Sequence, residues 1–156
     1  MNRDQALEDL RSKIVRDTDV PETVRNFLEN GANLEEIRLD QHGSWWHEGE
    51  IFENERLSLL FHRSLKRTKD GNWVLHVEPY TYPVLADLCG TFVTRIIDTS
   101  QNSATVRLAD RSTATLDIDS VYTDGDTVLA VVVGDKPARI VDTAYRQLTG
   151  GLKEVD

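Results

Sequence analysis

The sequence predicts an α+β fold: an N-terminal helical hairpin, followed by a mostly antiparallel sheet on which two further helices pack. Apolar residues recur at spacings of three and four over roughly the first 30 residues, as in amphipathic helices. Strand-like alternation of apolar and polar residues dominates the rest. An Asp-Gly phrase occurs twice, at residues 70–77 and 124–131, with five of eight positions identical. Asp-Gly between strands favours a tight hairpin turn, because glycine adopts positive φ easily.

The repeated phrase leaves two interpretations open. A strand, a glycine and a helix follow one another at residues 46–65 and again at 132–148, which is the order expected from duplication of a strand–helix unit. Asp-Gly hairpins are also common in unrelated sheets, so convergence explains the same pattern. An internal strand–helix repeat is therefore one hypothesis of two.

Two helices are predicted within residues 1–32. Residues 4–16 form the first, because apolar residues share one of its faces. These residues are Leu7, Leu10 and Ile14. The second begins near Pro21, a residue typical of a first helical turn, and ends at the left-handed cap of Gly31. Its apolar stripe is Val24, Phe27 and Leu28. This helical hairpin has too little apolar surface to fold alone.

Residues 33–88 are predicted to form a first α+β lobe. It holds short strands at 37–39 and 45–47, a helix at about 54–65 and a strand at 73–77 after the first Asp-Gly turn. Pro79 and Pro83 bracket residues 80–82. Because proline cannot donate to a sheet ladder, this segment is expected to be an edge or a connector.

Residues 89–156 are predicted to form a second α+β lobe that ends in a helix. Its strands alternate apolar and polar residues, and the last of them is rich in β-branched residues, which favours a central position. The strands are 92–97, 104–108, 114–118, 121–122 and 127–133. The helix is expected to open at residues 134–137 and to end at Gly150-Gly151. Its inward residues are Ile140, Val141, Ala144, Tyr145 and Leu148.

Composition limits the classes of partner. The chain of 156 residues has a net charge of −9, whereas nucleic-acid-binding proteins usually present a basic face, so no nucleic acid is expected as a partner. No apolar run reaches the roughly 18 residues of a membrane helix, so no membrane is expected either. The charged N-terminus lacks a secretion signal, and the single cysteine, Cys89, fits a reducing compartment. We therefore expect a cytoplasmic protein.

The densest group of functional residue types is Trp45, Trp46, His47 and Glu48. On a strand, Trp45 and His47 face one side and Trp46 and Glu48 the other, so one tryptophan is expected in the core and the other at least partly exposed. An exposed indole beside an imidazole and a carboxylate can stack a ring and accept its hydrogen bonds. The alternative is that both indoles are core residues.

A basic run at residues 62–69 supplies Arg63 and Arg67, which could meet an anionic ligand. The alternative is a solvated helix end, where cations also favour the helix dipole. We count the two arginines, with Trp45–Glu48, among the candidate ligand-binding residues.

No cofactor, metal site or catalytic residue is predicted. The spacing of His42 and His47 is not a zinc signature, and the acidic residues between 117 and 126 lack the calcium-loop pattern. Nucleophile-elbow, phosphate-loop and dinucleotide-binding motifs are absent from the sequence. Cys89 stands among apolar neighbours, as buried cysteines do. Whether the protein is an enzyme is left undecided, with a non-enzymatic role favoured.

Several stretches carry a family pattern. They are 43–51, 59–61, 65–67, 70–75, 77–79, 138–140 and 144–148. Together they resemble the DUF1285 proteins, a bacterial family of unknown function, over residues 37–148. After the first hairpin strand the chain departs from the family's usual Thr-Pro-Val-Glu and has His76-Val77-Glu78-Pro79. The resemblance implies a small α+β protein with repeated strand–helix units and a regulatory or signalling role. It carries over no catalytic residue, because none is established for the family.

Three hypotheses of function follow. The first is a bacterial binding or regulatory module, with a small ligand or a protein partner in a groove between the third helix and the Trp45–Glu48 hairpin. The second is an interaction protein that forms a homodimer through residues 1–32 and has no small-molecule pocket. The third is a hydrolase-like enzyme that uses His47 and Glu48.

Overall fold

The computed structural model describes residues 2–132 and 136–154 and confirms the α+β class. The chain divides into two units, residues 1–90 and residues 91–156, each with its own sheet. Within the described part of the chain, no helix combines the length and the apolar character that crossing a membrane requires.

Three helices belong to the first unit: α1 (Arg3–Val15), α2 (Glu22–Glu29) and α3 (Glu55–Ser64). The Asn2 side chain caps α1 by accepting a hydrogen bond from the backbone N–H of Gln5 at 2.8 Å. Helices α1 and α2 contact each other, and α1 buries Leu10 and Ile14, as their spacing predicts. The apolar stripe of α2 is narrower than expected: Leu28 is buried, but Phe27 is 62% exposed.

The sheet of the first unit has six strands in the order β3-β2-β1-β6-β5-β4. The strands are β1 (Ile37–Leu39), β2 (Trp45–His47), β3 (Glu50–Ile51), β4 (Leu65–Arg67), β5 (Trp73–Val77) and β6 (Tyr80–Ala86). Strand β1 runs parallel to β6, and the other pairs are antiparallel. Helices α1 and α2 cover one side of it, with a core that includes Leu10, Ile14 and Val74.

Residues 80–82 form the start of β6, a strand that is central in the sheet order, but they pair with β5 alone, so this part of β6 is a local edge as expected. Pro83 stands opposite Val74 of β5, but β1 pairs only with Leu85 and Ala86. The missing N–H of Pro83 therefore removes no hydrogen bond to β1, and a central strand can accommodate this proline.

A buried carboxylate joins the helices to this sheet. Asp17, between α1 and α2, is 1% exposed. It accepts hydrogen bonds from the Thr68 hydroxyl, from Nδ2 of Asn72 at 2.7 Å and from the backbone N–H of Asp19 at 3.0 Å. Burial would raise the pKa of Asp17, but these hydrogen bonds and the charge of Arg25 outweigh it and hold the pKa below its ordinary value of 3.8.

The ring of Trp73 is packed from two directions. The Arg67 guanidinium lies 5.8 Å from the ring centroid. A Cβ atom at Gly90 would approach the ring carbons to 2.5 Å, so only glycine allows the backbone to pass so close. Position 90 is therefore fixed by packing against Trp73.

The second unit holds a closed five-stranded barrel. Its elements are β7 (Phe92–Thr99), β8 (Ser103–Leu108), β9 (Thr113–Asp117), β10 (Tyr122–Asp124), β11 (Thr127–Val132), β12 (Lys136–Ile140) and the helix α4 (Asp142–Glu154). Strands β11, β12, β7, β8 and β9 pair in that order, and Leu116 of β9 pairs back to Val132 of β11. Strand β10 extends the sheet beyond β11, and Ala144 joins α4 to the barrel core.

The start and end of the last helix differ from those predicted. Val133, Gly134 and Asp135 lie outside the described residues, and residues 136–140 form β12. Ile140 is a strand residue of the barrel core, because it pairs with Val128 of β11 and with Val93 of β7 and is fully buried. The helix starts at Asp142 and continues through Gly150-Gly151 to Glu154.

Both copies of the Asp-Gly phrase lie at turns between antiparallel strands. Gly71 follows β4 with φ of 92°, and Gly125 follows β10 with φ of 62°. These left-handed angles favour glycine. The surroundings differ, because the first copy belongs to the open sheet and the second to the barrel unit.

Replacing Asp17 by asparagine should lower the free energy of unfolding by about 2–4 kcal/mol, because the new amide N–H₂ would face buried donors. Urea denaturation at pH 7 measures the loss. The exposed substitution Glu29→Gln is the control and should leave the midpoint nearly unchanged.

The same variant should show a shallower acid transition. Since the pKa of Asp17 is lower in the folded state than 3.8, its stabilisation is complete above the unfolded pKa and is lost as the pH falls through the folded pKa. Between about pH 5 and pH 3, Asp17→Asn should therefore lose less stability than the wild type. Parallel pH profiles would contradict this assignment.

Candidate functional site

The turn between β1 and β2 is organised by the Asp40 carboxylate. Its Oδ1 accepts hydrogen bonds from the backbone N–H groups of His42 and Ser44, both at 2.9 Å. Its Oδ2 accepts the Trp46 indole N–H at 2.8 Å. Burial alone would raise the pKa of Asp40, but these hydrogen bonds, chiefly that from Trp46, together with the charge of His42, hold it below the ordinary value of 3.8. One carboxylate thus shapes the turn and orients Trp46.

Trp45 and Trp46 point to opposite faces of the sheet, as the alternation of a strand predicts. Trp45 is 1% exposed. Its indole N–H donates to Nε2 of His62 on α3 at 3.2 Å, and its ring meets Phe61 edge to face at 5.3 Å. Phe61 meets Phe52 in the same way at 5.4 Å. Rings therefore fill the space between α3 and the β1–β2 hairpin.

Trp46 is half-buried and lines a cleft of about 370 Å³. The lining comes from the first turn of α1, from β1 and β2, and from the end of β6. The lining residues are Asn2, Arg3, Ala6, Glu36, Arg38, Trp46, Gly49, Leu85 and Asp87. We call this the Trp46 cleft.

The charges around the Trp46 cleft are paired and held in place. The Arg38 guanidinium lies 4.9 Å from the centroid of the Trp46 ring and binds Asp87 Oδ2 at 2.6 Å. Its Nε is 4.0 Å from Oε2 of the buried Glu36, whose Oε1 accepts the Gly49 backbone N–H at 2.8 Å. The cleft therefore presents an aromatic ring, charged donors and carboxylate acceptors in a fixed arrangement.

The other predicted site residues lie elsewhere. Nε2 of the exposed His47 is 3.2 Å from Oε2 of Glu35. Glu48 accepts the backbone N–H of Glu36 at 2.9 Å. Arg67 lies on β4 against Trp73, and Arg63 is an exposed residue of α3. None of these four lines the Trp46 cleft.

The structure adds residues that the sequence did not single out. Arg38 and Asp87 stand 49 positions apart and meet only because β1 lies beside β6. Glu36 is 3% exposed, and its two hydrogen-bonding roles depend on the turn that follows β2. The local signal for these residues was the pattern Glu36-x-Arg38, which places an acidic and a basic side chain on the same face at the start of a short strand.

Asp40→Asn should lower the free energy of unfolding by about 1–3 kcal/mol. If the amide oxygen accepts the two backbone N–H groups of the turn, the amide N–H₂ faces the Trp46 indole N–H, and two donors then oppose each other. In a Trp46→Phe background the indole donor is absent, so the same substitution should cost less. Urea denaturation of all four proteins in the cycle measures the difference. An equal cost in both backgrounds would contradict the proposed orientation of Trp46.

Comparison with known proteins gives a fold-level match. No protein-family model matches the sequence, and no curated protein is significantly similar to it. A DUF1285 family protein from Shewanella baltica OS155 aligns with a TM-score of 0.57 and 14% identity over 74% of this chain and 91% of that one. A DUF1285 family protein from Silicibacter pomeroyi DSS-3 aligns with a TM-score of 0.61 and 15% identity over 75% of this chain and 69% of that one.

These alignments agree with the resemblance that the motifs at residues 37–148 carry. The chain therefore shares the fold of DUF1285 proteins, as its sequence motifs predicted.

Proposed function

We propose that this protein is a binding module of the bacterial cytoplasm that holds a small polar ligand with a planar ring in the Trp46 cleft. The observation that carries the proposal is the half-buried Trp46 ring, fixed by Asp40 and lining a cleft with charged groups. A volume of about 370 Å³ lies within the usual range for small-molecule sites, roughly 300–1,000 Å³.

The groups around the Trp46 cleft suit such a ligand. An indole offers a flat apolar surface for a ring, and stacking on tryptophan tolerates many heterocycles. Arg3 and Arg38 can donate to an acidic or carbonyl group, and the carboxylates of Glu36 and Asp87 can accept from ring N–H groups. Because Arg38 is already bound to Asp87, little ordering of its side chain is needed on binding.

We favour binding over hydrolysis because the Trp46 cleft is not lined by His47 or Glu48, the two residues of the hydrolase hypothesis. Glu48 also has a structural contact. One of its oxygens accepts the Glu36 backbone N–H, and its own N–H donates to the Glu36 carbonyl at 3.2 Å. These bonds close the end of the β1–β2 hairpin. A regulatory or signalling role, which the DUF1285 resemblance implies, would use occupancy of the cleft as its input.

A thermal-shift screen of nucleosides, nucleotides and heterocyclic metabolites tests the proposal. A ligand of the cleft should raise the melting temperature, and Trp46→Ala should weaken its binding by roughly tenfold or more, since ring stacking contributes about 1–3 kcal/mol. Trp46→Phe keeps a ring and should lose less. Arg63→Ala, outside the cleft, is the matched control. A ligand that binds Trp46→Ala and the wild type equally would overturn the proposed site.

A second candidate, self-association through residues 1–32, is supported by the exposure of Phe27 on α2. Burial of this side chain in a contact between two copies would remove apolar surface from water. Phe27→Glu should then convert a dimer to a monomer in sedimentation equilibrium or native mass measurement. Deletion of residues 1–32 is a poor test, because Leu10 and Ile14 belong to the core. A wild-type chain that is monomeric at high concentration would rule out this candidate.

A further inference from the structure

Three metal-ligating side chains converge beside the β1–β2 hairpin, on residues that the Trp46 cleft does not use. They are Glu35, His47 and Glu48, and one ligand atom from each lies within 4.8 Å of the other two. The shortest separation is 3.2 Å, between Nε2 of His47 and Oε2 of Glu35. Glu35 precedes β1, His47 ends β2 and Glu48 begins the following turn, so the pairing of β1 with β2 brings them together.

From this convergence we infer a binding site for a divalent transition-metal ion of the zinc type, with Nε2 of His47 and one carboxylate oxygen each from Glu35 and Glu48 as ligands. In a tetrahedral zinc site with bonds of about 2.0–2.2 Å, the ligand atoms stand about 3.3–3.6 Å apart. The His47–Glu35 separation already approaches this spacing. Small rotations of exposed side chains bring the third ligand in and leave a fourth position for water.

The backbone under the three ligands is held by hydrogen bonds across the sheet. The Tyr82 hydroxyl accepts the Glu35 N–H at 2.8 Å and lies 3.1 Å from the Glu35 carbonyl, to which it donates. Glu48 has one carboxylate oxygen on the Glu36 N–H, which orients the other. Hydrogen bonds behind the ligands restrict their orientations and strengthen metal binding.

The local charge favours a cation. Two carboxylates beside one imidazole, on a chain with a net charge of −9, attract a divalent ion.

The ligand types indicate which ion. Imidazole nitrogen suits zinc, copper and nickel, whereas magnesium and calcium prefer six or more oxygen ligands, which this cluster does not supply. A mixed set of one nitrogen and two oxygens therefore favours a transition metal over the abundant alkaline-earth ions.

None of the three ligands lines the Trp46 cleft, although Glu48 accepts the backbone N–H of Glu36, which does. Trp46 and His47 are consecutive residues of β2, so their side chains leave opposite faces of the sheet. Different side chains are tested for the two ligands, Trp46 for the cleft and His47 with Glu35 for the metal, so metal binding and binding in the cleft can be measured separately.

Isothermal titration of the full-length protein with ZnCl₂ at pH 7.5, after removal of any histidine tag, tests the inference. One zinc ion per chain should bind, and MgCl₂ and CaCl₂ should bind far more weakly. His47→Ala and Glu35→Gln should each raise the Kd at least roughly tenfold. Glu48→Gln should raise the Kd similarly. Its amide oxygen can still accept the Glu36 N–H, so a weaker affinity would reflect the loss of a ligand and not a change in the hairpin.

The controls are His42→Ala and Glu53→Gln, which remove a histidine and an acid from the same unit outside the cluster and should leave the Kd within twofold. Circular dichroism confirms that each variant is folded. Visible spectra of the Co²⁺-loaded protein should show tetrahedral bands that His47→Ala removes. Absence of zinc binding by the wild type, or zinc binding retained within twofold by both His47→Ala and Glu35→Gln, would overturn the site.

Discussion

The Asp17 carboxylate joins segments that are remote in the sequence, and the first unit depends on that junction. Its oxygens meet the Thr68 hydroxyl and the Asn72 amide of the β4–β5 loop, about fifty positions along the chain, while the Asp19 carboxylate accepts the Lys69 N–H at 2.7 Å. A charge this buried is tolerated only where donors replace the lost water. Helix packing on the sheet and the geometry of the β4–β5 turn are thereby coupled.

Buried carboxylates also accept hydrogen bonds from turns at the other end of the sheet. Asp40 gathers two backbone N–H groups and the Trp46 indole, and Glu36 holds the Gly49 N–H. The composition shows an excess of acidic side chains. Some of these are buried, and they accept hydrogen bonds from backbone N–H groups of turns. The Trp46 cleft is fixed by these acceptors, which is why its aromatic wall and its charged groups keep a common geometry.

Local patterns predicted more of the fold than of the candidate site. Spacing identified the face of α1 that holds Leu10 and Ile14, and strand alternation separated Trp45 from Trp46. Prediction failed where long-range pairing decided the structure. The parallel pairing of β1 with β6 beyond Pro83 was not predicted, and Ile140 fits a helical spacing although it is a strand residue of the barrel. Arg38 pairs with Asp87, and His47 pairs with Glu35. Both partners come from other segments of the chain, so no local motif predicts these pairs.

The contact of Gly90 with Trp73 bears on how the chain can be divided. Ring carbons of Trp73 occupy the space where any other residue at position 90 would place its Cβ. A recombinant fragment that stops at residue 88, just before Cys89, would leave out the backbone that covers this ring. A fragment designed to contain the first unit should therefore extend through residue 90, because Gly90, the last residue of that unit, packs against the Trp73 ring.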